Sequence, residues 1–314
     1  MRLRAEGDAP SHETESAALD VLRSAGLVVD LIIWDGKIQR VPTTSKPRSK
    51  NGAYVAHPDP PVSIWWLDFA SGQSDTWTDS NRGDALSVEE RELLRKRMAE
   101  SRKQRDEEQA RVYADAAKRA QTIYLNALRC DDHPYIERKG VRTATGLKIH
   151  QKSGALIIPA YNEQGKISTL QFIDADGKKT FLTGGRKGGA YFPLGLNADD
   201  TSEKSLMICE GLATGLSLHE CTGRPVFVAF DAGNLLPVAK IARAKFPKRE
   251  IIMAADNDCL TDGNPGITKA TEAAKAITNA RVIAPHLDEQ PVDWNDLHQA
   301  AGTKAVQEQI GDES

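Results

Sequence analysis

Cysteine is scarce and scattered in this chain. Its four residues, Cys130, Cys209, Cys221 and Cys259, form no C-x-x-C pair. That spacing excludes a zinc ribbon and a disulfide framework, and it fits a reducing compartment. Long apolar runs are also lacking: none approaches the roughly 20 residues that span a bilayer. The opening MRLRAEGDAP carries no apolar signal region. The expectation is a cytoplasmic protein with no membrane partner. Neither sign of charge dominates, with 41 Lys and Arg against 44 Asp and Glu. Any site for a polyanion must therefore be a local basic patch. A Walker A loop is missing too, because GNPGITKAT has glycines and a lysine without the required spacing. A fused helicase is not expected, so a replicative helicase would be a separate protein.

What is present is an ordinary globular composition of 314 residues, 40% hydrophobic and 27% charged. Its texture changes along the chain. Residues 1–85 are expected to be a β-rich N-terminal region with one short helix, ESAALDVLRSAGL. Asp35-Gly36 reads as a hairpin turn, and PTTSKPRSKNGAYVAHPDPP reads as one long loop. Residues 86–128 predict a charged helical linker, with a capping box at Ser87 and Glu90. Residues 129–203 return to strand-like runs separated by turn formers, among them Asp176-Gly177, and predict a basic α+β subdomain with an antiparallel sheet.

Residues 204–300 alternate again, and 301–314 are left as a C-terminal tail. The runs KSLMICE, RPVFVAF, REIIMAAD and ARVIAP are short and rich in Val and Ile, with helical spacings between them. That alternation predicts βαβ units and a parallel sheet with flanking helices, an α/β fold whose ligands bind at the carboxyl ends of the strands.

Acidic residues gather at that edge. Glu210 follows the first strand, Asp231 the second, Asp256 and Asp258 the third, and Asp293 and Asp296 come after the fourth. One carboxylate at a strand end is usually a cap or turn residue. Several converging ones need a counter-charge, and hard oxygen donors suit Mg²⁺ or Mn²⁺ rather than zinc. Such a pattern points to phosphoryl or nucleotidyl transfer. Cys209 and Cys259 flank it and read as small buried fillers.

Glu-Gly after the first strand, Asp-x-Asp after the third and the later DWNDL resemble the Toprim domain. That domain is shared by bacterial-type primases, topoisomerases and some nucleases. The preceding GALIIPAYNEQGKISTLQFIDADGKKTFLTGGRKGGAYFPLG and HPYIERKGV are similar to the corresponding segments of plasmid and phage DNA primases. The resemblance implies a Toprim primase core that makes short RNA primers on single-stranded DNA from ribonucleoside triphosphates. It implies Glu210 as the general acid/base or metal-proximal group and Asp256 and Asp258 as metal ligands. Asp231, Asp293 and Asp296 are further acidic candidates. The zinc-binding module of many such primases has no cysteines to build it here, and no zinc is expected.

Basic residues are expected to grip nucleotide and template. They are Lys178, Lys179, Arg186 and Lys187 around GGRKGG, then Arg138, Lys139 and Arg142, then Lys46, Arg48 and Lys50. Glycines let backbone amides approach phosphate, and Arg offers bidentate contacts. Two other readings use the same residues: a Toprim nuclease with water as nucleophile, or a DNA-binding replication factor without activity.

Overall fold

The computed structural model describes residues 10–59, 62–68, 73–79, 88–196, 204–287 and 290–311. The chain forms two compact units, Met1–Ala99 and Glu100–Ser314.

In the first unit, α1 (His12–Ser24) is capped by Ser11, whose side chain accepts from the Thr14 amide. β1 (Gln39–Val41), β2 (Gly52–His57), β3 (Ser63–Asp68) and β4 (Ser74–Thr78) follow in order as an antiparallel sheet. Ala18 and Leu22 of α1 bury against Leu27, Tyr54, Ala56 and Ile64. Two expectations fail here. Among the described residues no strand precedes Asp35-Gly36, so the pair makes a bend rather than a hairpin; the Asp35 carboxylate accepts from the Lys37 amide. The expected long loop is interrupted by β2, because GAYVA buries five consecutive residues against neighbours on both sides and outweighs the turn formers around it.

The linker is one helix, α2 (Val88–Leu125), running from the first unit into the second. The capping box expected at Ser87 and Glu90 lies outside the described side chains. Towards its end α2 becomes structural: Ala120 buries against Ile157 and Leu170.

The second unit holds two sheets. β5 (Leu128–Arg129), β6 (Lys148–Ile149), β7 (Leu156–Tyr161), β8 (Ile167–Ile173) and β9 (Lys179–Phe181) form an antiparallel sheet in sequence order, with α3 (Pro134–Arg138) between β5 and β6. The β8–β9 hairpin turns at Asp174–Gly177, where Asp174 accepts from the amides of Asp176 and Lys178. The other sheet has the order β10 (Phe192–Leu194), β12 (Val226–Val228), β11 (Leu206–Cys209), β13 (Ile251–Ala254), β14 (Ala280–Ile283). Its last four strands run parallel, and β10 is an antiparallel edge.

Alternation along each strand sorts the side chains to two faces. Leu206, Ile208, Ile251 and Met253 pack under α5 (Leu235–Lys245) and α6 (Pro265–Lys275). Met207, Cys209, Ile252 and Ala254 face α4 (Leu212–Thr222) and α7 (Trp294–Ile310). Leu156, Ile158 and Ile173 of the antiparallel sheet belong to that same buried cluster, so the two sheets share one core. Among the described residues no helix is long and apolar enough to cross a membrane.

Candidate active site at the edge of the parallel sheet

The chain passes from β11 to β12 on one side, then returns past β11 to β13 on the other. The reversal makes a topological switch point between the carboxyl ends of β11 and β13, the place where open α/β sheets leave a crevice. Glu210 is the residue after β11, and Asp256 lies two beyond β13. The structure brings Glu210, Asp231, Asp256, Asp258 and Asp293 within electrostatic reach of one another in linked pairs. Asp296 is more peripheral: it closes a capping box with Asp293 at the start of α7 and faces Lys139 at 3.9 Å.

The Asp-x-Asp loop is pinned from three directions. The Asn257 amide donates to the Val292 carbonyl and the Val292 amide donates back to the Asn257 carbonyl, both at 3.0 Å. The Asn257 side chain donates to the Pro285 carbonyl and accepts from Asn264 Nδ2 at 2.8 Å. Asn264 in turn accepts from the Asp258 amide at 3.1 Å, with its own backbone in the left-handed region at φ 40°. Finally, α6 begins so close that a Cβ on Gly266 would stand 2.4 Å from the Asp256 carbonyl oxygen. Sequence reading finds the glycine and proline of this turn but misses Asn257 and Asn264. The signal was the asparagine directly before Pro265, a position that favours asparagine in turns.

This rigidity forces carboxylates together. Asp256 Oδ1 is buried and has no hydrogen-bond partner in the protein. Burial first, then the charges of Asp293, Glu210 and Asp258, push the Asp256 carboxyl up to about 8, with Lys179 opposing. Glu210 is raised by burial and by Asp258 and Asp231, against a bond from the Ala232 amide and Lys179. Asp293 is raised chiefly by burial, against the backbone bonds of its cap. Buried, mutually repelling oxygen donors with an orphaned acceptor are suited to a hard divalent cation. Among the described residues no three acidic, His or Cys groups close into a ready cage.

The basic residues have different placements. Lys179 is exposed and lies within electrostatic reach of Glu210 and Asp256. Lys187 pairs with Asp231. Lys178 and Arg186 are exposed beside them. The GGRKGG loop is held by Asn234, buried and missed by sequence reading: its side chain accepts from the Gly189 amide and donates to the Ala190 and Ala229 carbonyls. Gly185 passes so near Thr169 that any Cβ would collide with it, which explains the glycine there. Arg138 braces the β8–β9 hairpin through the Ala175 carbonyl, and Arg142 pairs with Glu220. The backbone of Lys139 is held by Asn295 and Gln299 of α7. Lys46, Arg48 and Lys50 belong to the first unit and are exposed there. Cys209 is buried, as expected, but Cys259 is exposed: it follows the loop out of the sheet rather than filling the core.

Residues 205–304 match the Toprim domain family. Over 270 residues, 82% of this chain, the sequence is 34% identical to a DNA primase TraC of Escherichia coli, and over 281 residues it is 34% identical to a second DNA primase TraC of the same organism. The chain spans 18% and 26% of the length of these two relatives. Solved structures with some likeness include the primase fragment of the bacteriophage T7 primase-helicase protein, 18% identical over 55% of this chain and 72% of that one, at a TM-score of 0.43. Another is the DnaG primase catalytic domain bound to ssDNA, 12% identical over 64% and 80%, at a TM-score of 0.44.

Two outcomes follow from the geometry. An acid whose folded-state pKa lies above its unfolded value makes the native state bind more protons, so stability falls as pH rises between the two. The metal-free protein should therefore lose stability from about pH 4 to about pH 8. Asp256→Asn should raise its Tm at pH 8 by about 4–10 °C, an effect that shrinks at pH 4 and when Mg²⁺ is added. Thermal scans across pH, with and without Mg²⁺, check this. Separately, Gly266→Ala should cost about 1–3 kcal/mol in urea unfolding, while Gly188→Ala, where a Cβ meets open space, should cost far less.

Proposed function

We propose that this chain is the catalytic portion of a DNA primase of the plasmid and phage type. It would join ribonucleoside triphosphates into short RNA primers on single-stranded DNA, and it would act in the cytoplasm. The observation that carries the reading is the meeting of Glu210, Asp256 and Asp258 at the switch point, with an unpartnered buried oxygen on Asp256. The Toprim match and the identity to two DNA primases support it.

Asp256 and Asp258, with Glu210 beside them, would hold a divalent cation, Mg²⁺ or Mn²⁺. Bound there, the cation supplies charge stabilisation on the phosphates and acidifies a coordinated hydroxyl. The chain's own contribution is positional. Asn257 and Asn264 fix the two aspartates, so the donors need no reorganisation when charge develops. Glu210 sits at the end of β11, where burial and neighbouring anions favour its protonated form. With a cation bound beside it, its carboxylate form would be restored and would take the proton of a 3′-hydroxyl attacking the α-phosphate as pyrophosphate leaves. Lys179 faces the same edge and would draw the triphosphate towards it. Lys178, Arg186 and Lys187, on the hairpin and the adjoining loop, would carry the template or nucleotide backbone. Arg138, Lys139 and Arg142 would extend that basic surface through their charge. Lys46, Arg48 and Lys50 would contribute a separate basic loop on the first unit.

Incubating the protein with single-stranded DNA, labelled ribonucleotides and Mg²⁺ or Mn²⁺ tests this reading. Short RNA products should form, and Asp256→Ala and Glu210→Gln should each lower their yield at least about 100-fold. Cleaved DNA without ribonucleotide incorporation would replace the primase reading with a nuclease. DNA binding alone, unchanged in both variants, would leave a non-catalytic replication factor.

A further inference from the structure

An aromatic pair beside the carboxylates takes no part in the chemistry above. Phe181 ends β9, two residues past Lys179. Phe230 lies beyond β12 and directly precedes Asp231. The rings meet edge-to-face with centroids 5.5 Å apart and planes at 82°. Both residues are only half-buried. Phe230 also has a backbone φ of 74°. A bulky side chain adopts that left-handed conformation only when its surroundings impose it, and such strain gathers at ligand sites. Lys187 Nζ stands 5.7 Å from the Phe181 ring centroid while pairing with Asp231. The pair is thus bordered by one ammonium on its own loop and joined by two residues of strand to another, Lys179.

We infer that Phe181 and Phe230 form a shelf on which the base of a bound nucleoside triphosphate stacks, its phosphates directed to Lys179 and the Glu210–Asp256 edge. The inference deepens the proposed function and rests on it. A nucleotide offers a flat π face at one end and a polyanion at the other. Here an aromatic surface, two lysines and the carboxylates suited to a cation lie within a few residues of each other on converging elements. The neighbouring amides are already engaged: Asn234, Asn257 and Asn264 all hold backbone groups. Recognition through the ring face, rather than through base edges, accepts every base. An enzyme copying a varying template needs that tolerance.

Calorimetric titration of the full chain with Mg²⁺ and either ATP, inorganic tripolyphosphate or a thymidine deoxyoligonucleotide tests the shelf. Phe181→Leu should weaken ATP roughly 5- to 100-fold and leave tripolyphosphate within about twofold. Phe181→Trp, which keeps a π face, should restore ATP binding. Phe230→Leu deletes the second ring while keeping apolar bulk against the core, and should repeat the loss. Equal weakening of ATP and tripolyphosphate, or no change in either, would overturn the shelf. A loss confined to the oligonucleotide would overturn its assignment to the incoming nucleotide and give the rings to the template. Wild-type protein that binds tripolyphosphate as tightly as ATP would remove the shelf but leave the primase reading intact. Binding of neither would remove both.

Discussion

Everything at this site depends on holding like charges together. Carboxylates at the ends of neighbouring strands would spread apart if their loops were free, since each is more stable in water or beside a cation. The protein prevents this with neutral groups. Asn257 exchanges backbone bonds with Val292, and its side chain joins the Asp-x-Asp loop to Pro285 and Asn264. The bond to Val292 also fixes the segment leading to Asp293, so one residue sets the spacing of three acids. The parallel sheet supplies the platform and the asparagines supply the register.

A second layer of restraint acts on the cationic side. Asn234 ties the GGRKGG loop to the end of β12, and Asp231 both accepts from the Asn234 amide and pairs with Lys187. The loop that carries Lys187 and the strand end that carries Asp231 are thereby tied together by one uncharged amide. Of the basic residues, Arg142 pairs with Glu220, which partly compensates its charge, whereas Arg138 donates to the neutral Ala175 carbonyl. Lys179 keeps its ammonium exposed at the carboxylate edge.

The parallel sheet was legible because buried strands write continuous apolar runs, and KSLMICE or REIIMAAD can hardly be anything else. The acidic edge was legible because strand ends are fixed points in such a fold. The N-terminal region was harder. GAYVA carries a strand signal but sits among Pro, Ser and Lys, and only pairing with β3 shows that it is one. Asp35-Gly36 has the turn chemistry of a hairpin without a first strand to use it. Asn264 showed only its turn position before Pro265, and Asn257 and Asn234 were invisible for a different reason. Their value lies in bonds to residues between 5 and 45 positions away, and no local pattern records such partners. Phe230 is hidden likewise, because a positive φ leaves no trace in residue type unless the residue is glycine or asparagine.

The antiparallel edge strand has an implication for inheritance. The Toprim match begins at residue 205, but the sheet it describes is completed by β10, whose residues 192–194 come from the preceding segment. That segment also reaches back to the other sheet through the Tyr161–Tyr191 bridge. A recombination event that replaced only the matched region would set the incoming β12 against the resident β10, a strand it did not evolve beside. The heritable unit is therefore larger than the recognisable one.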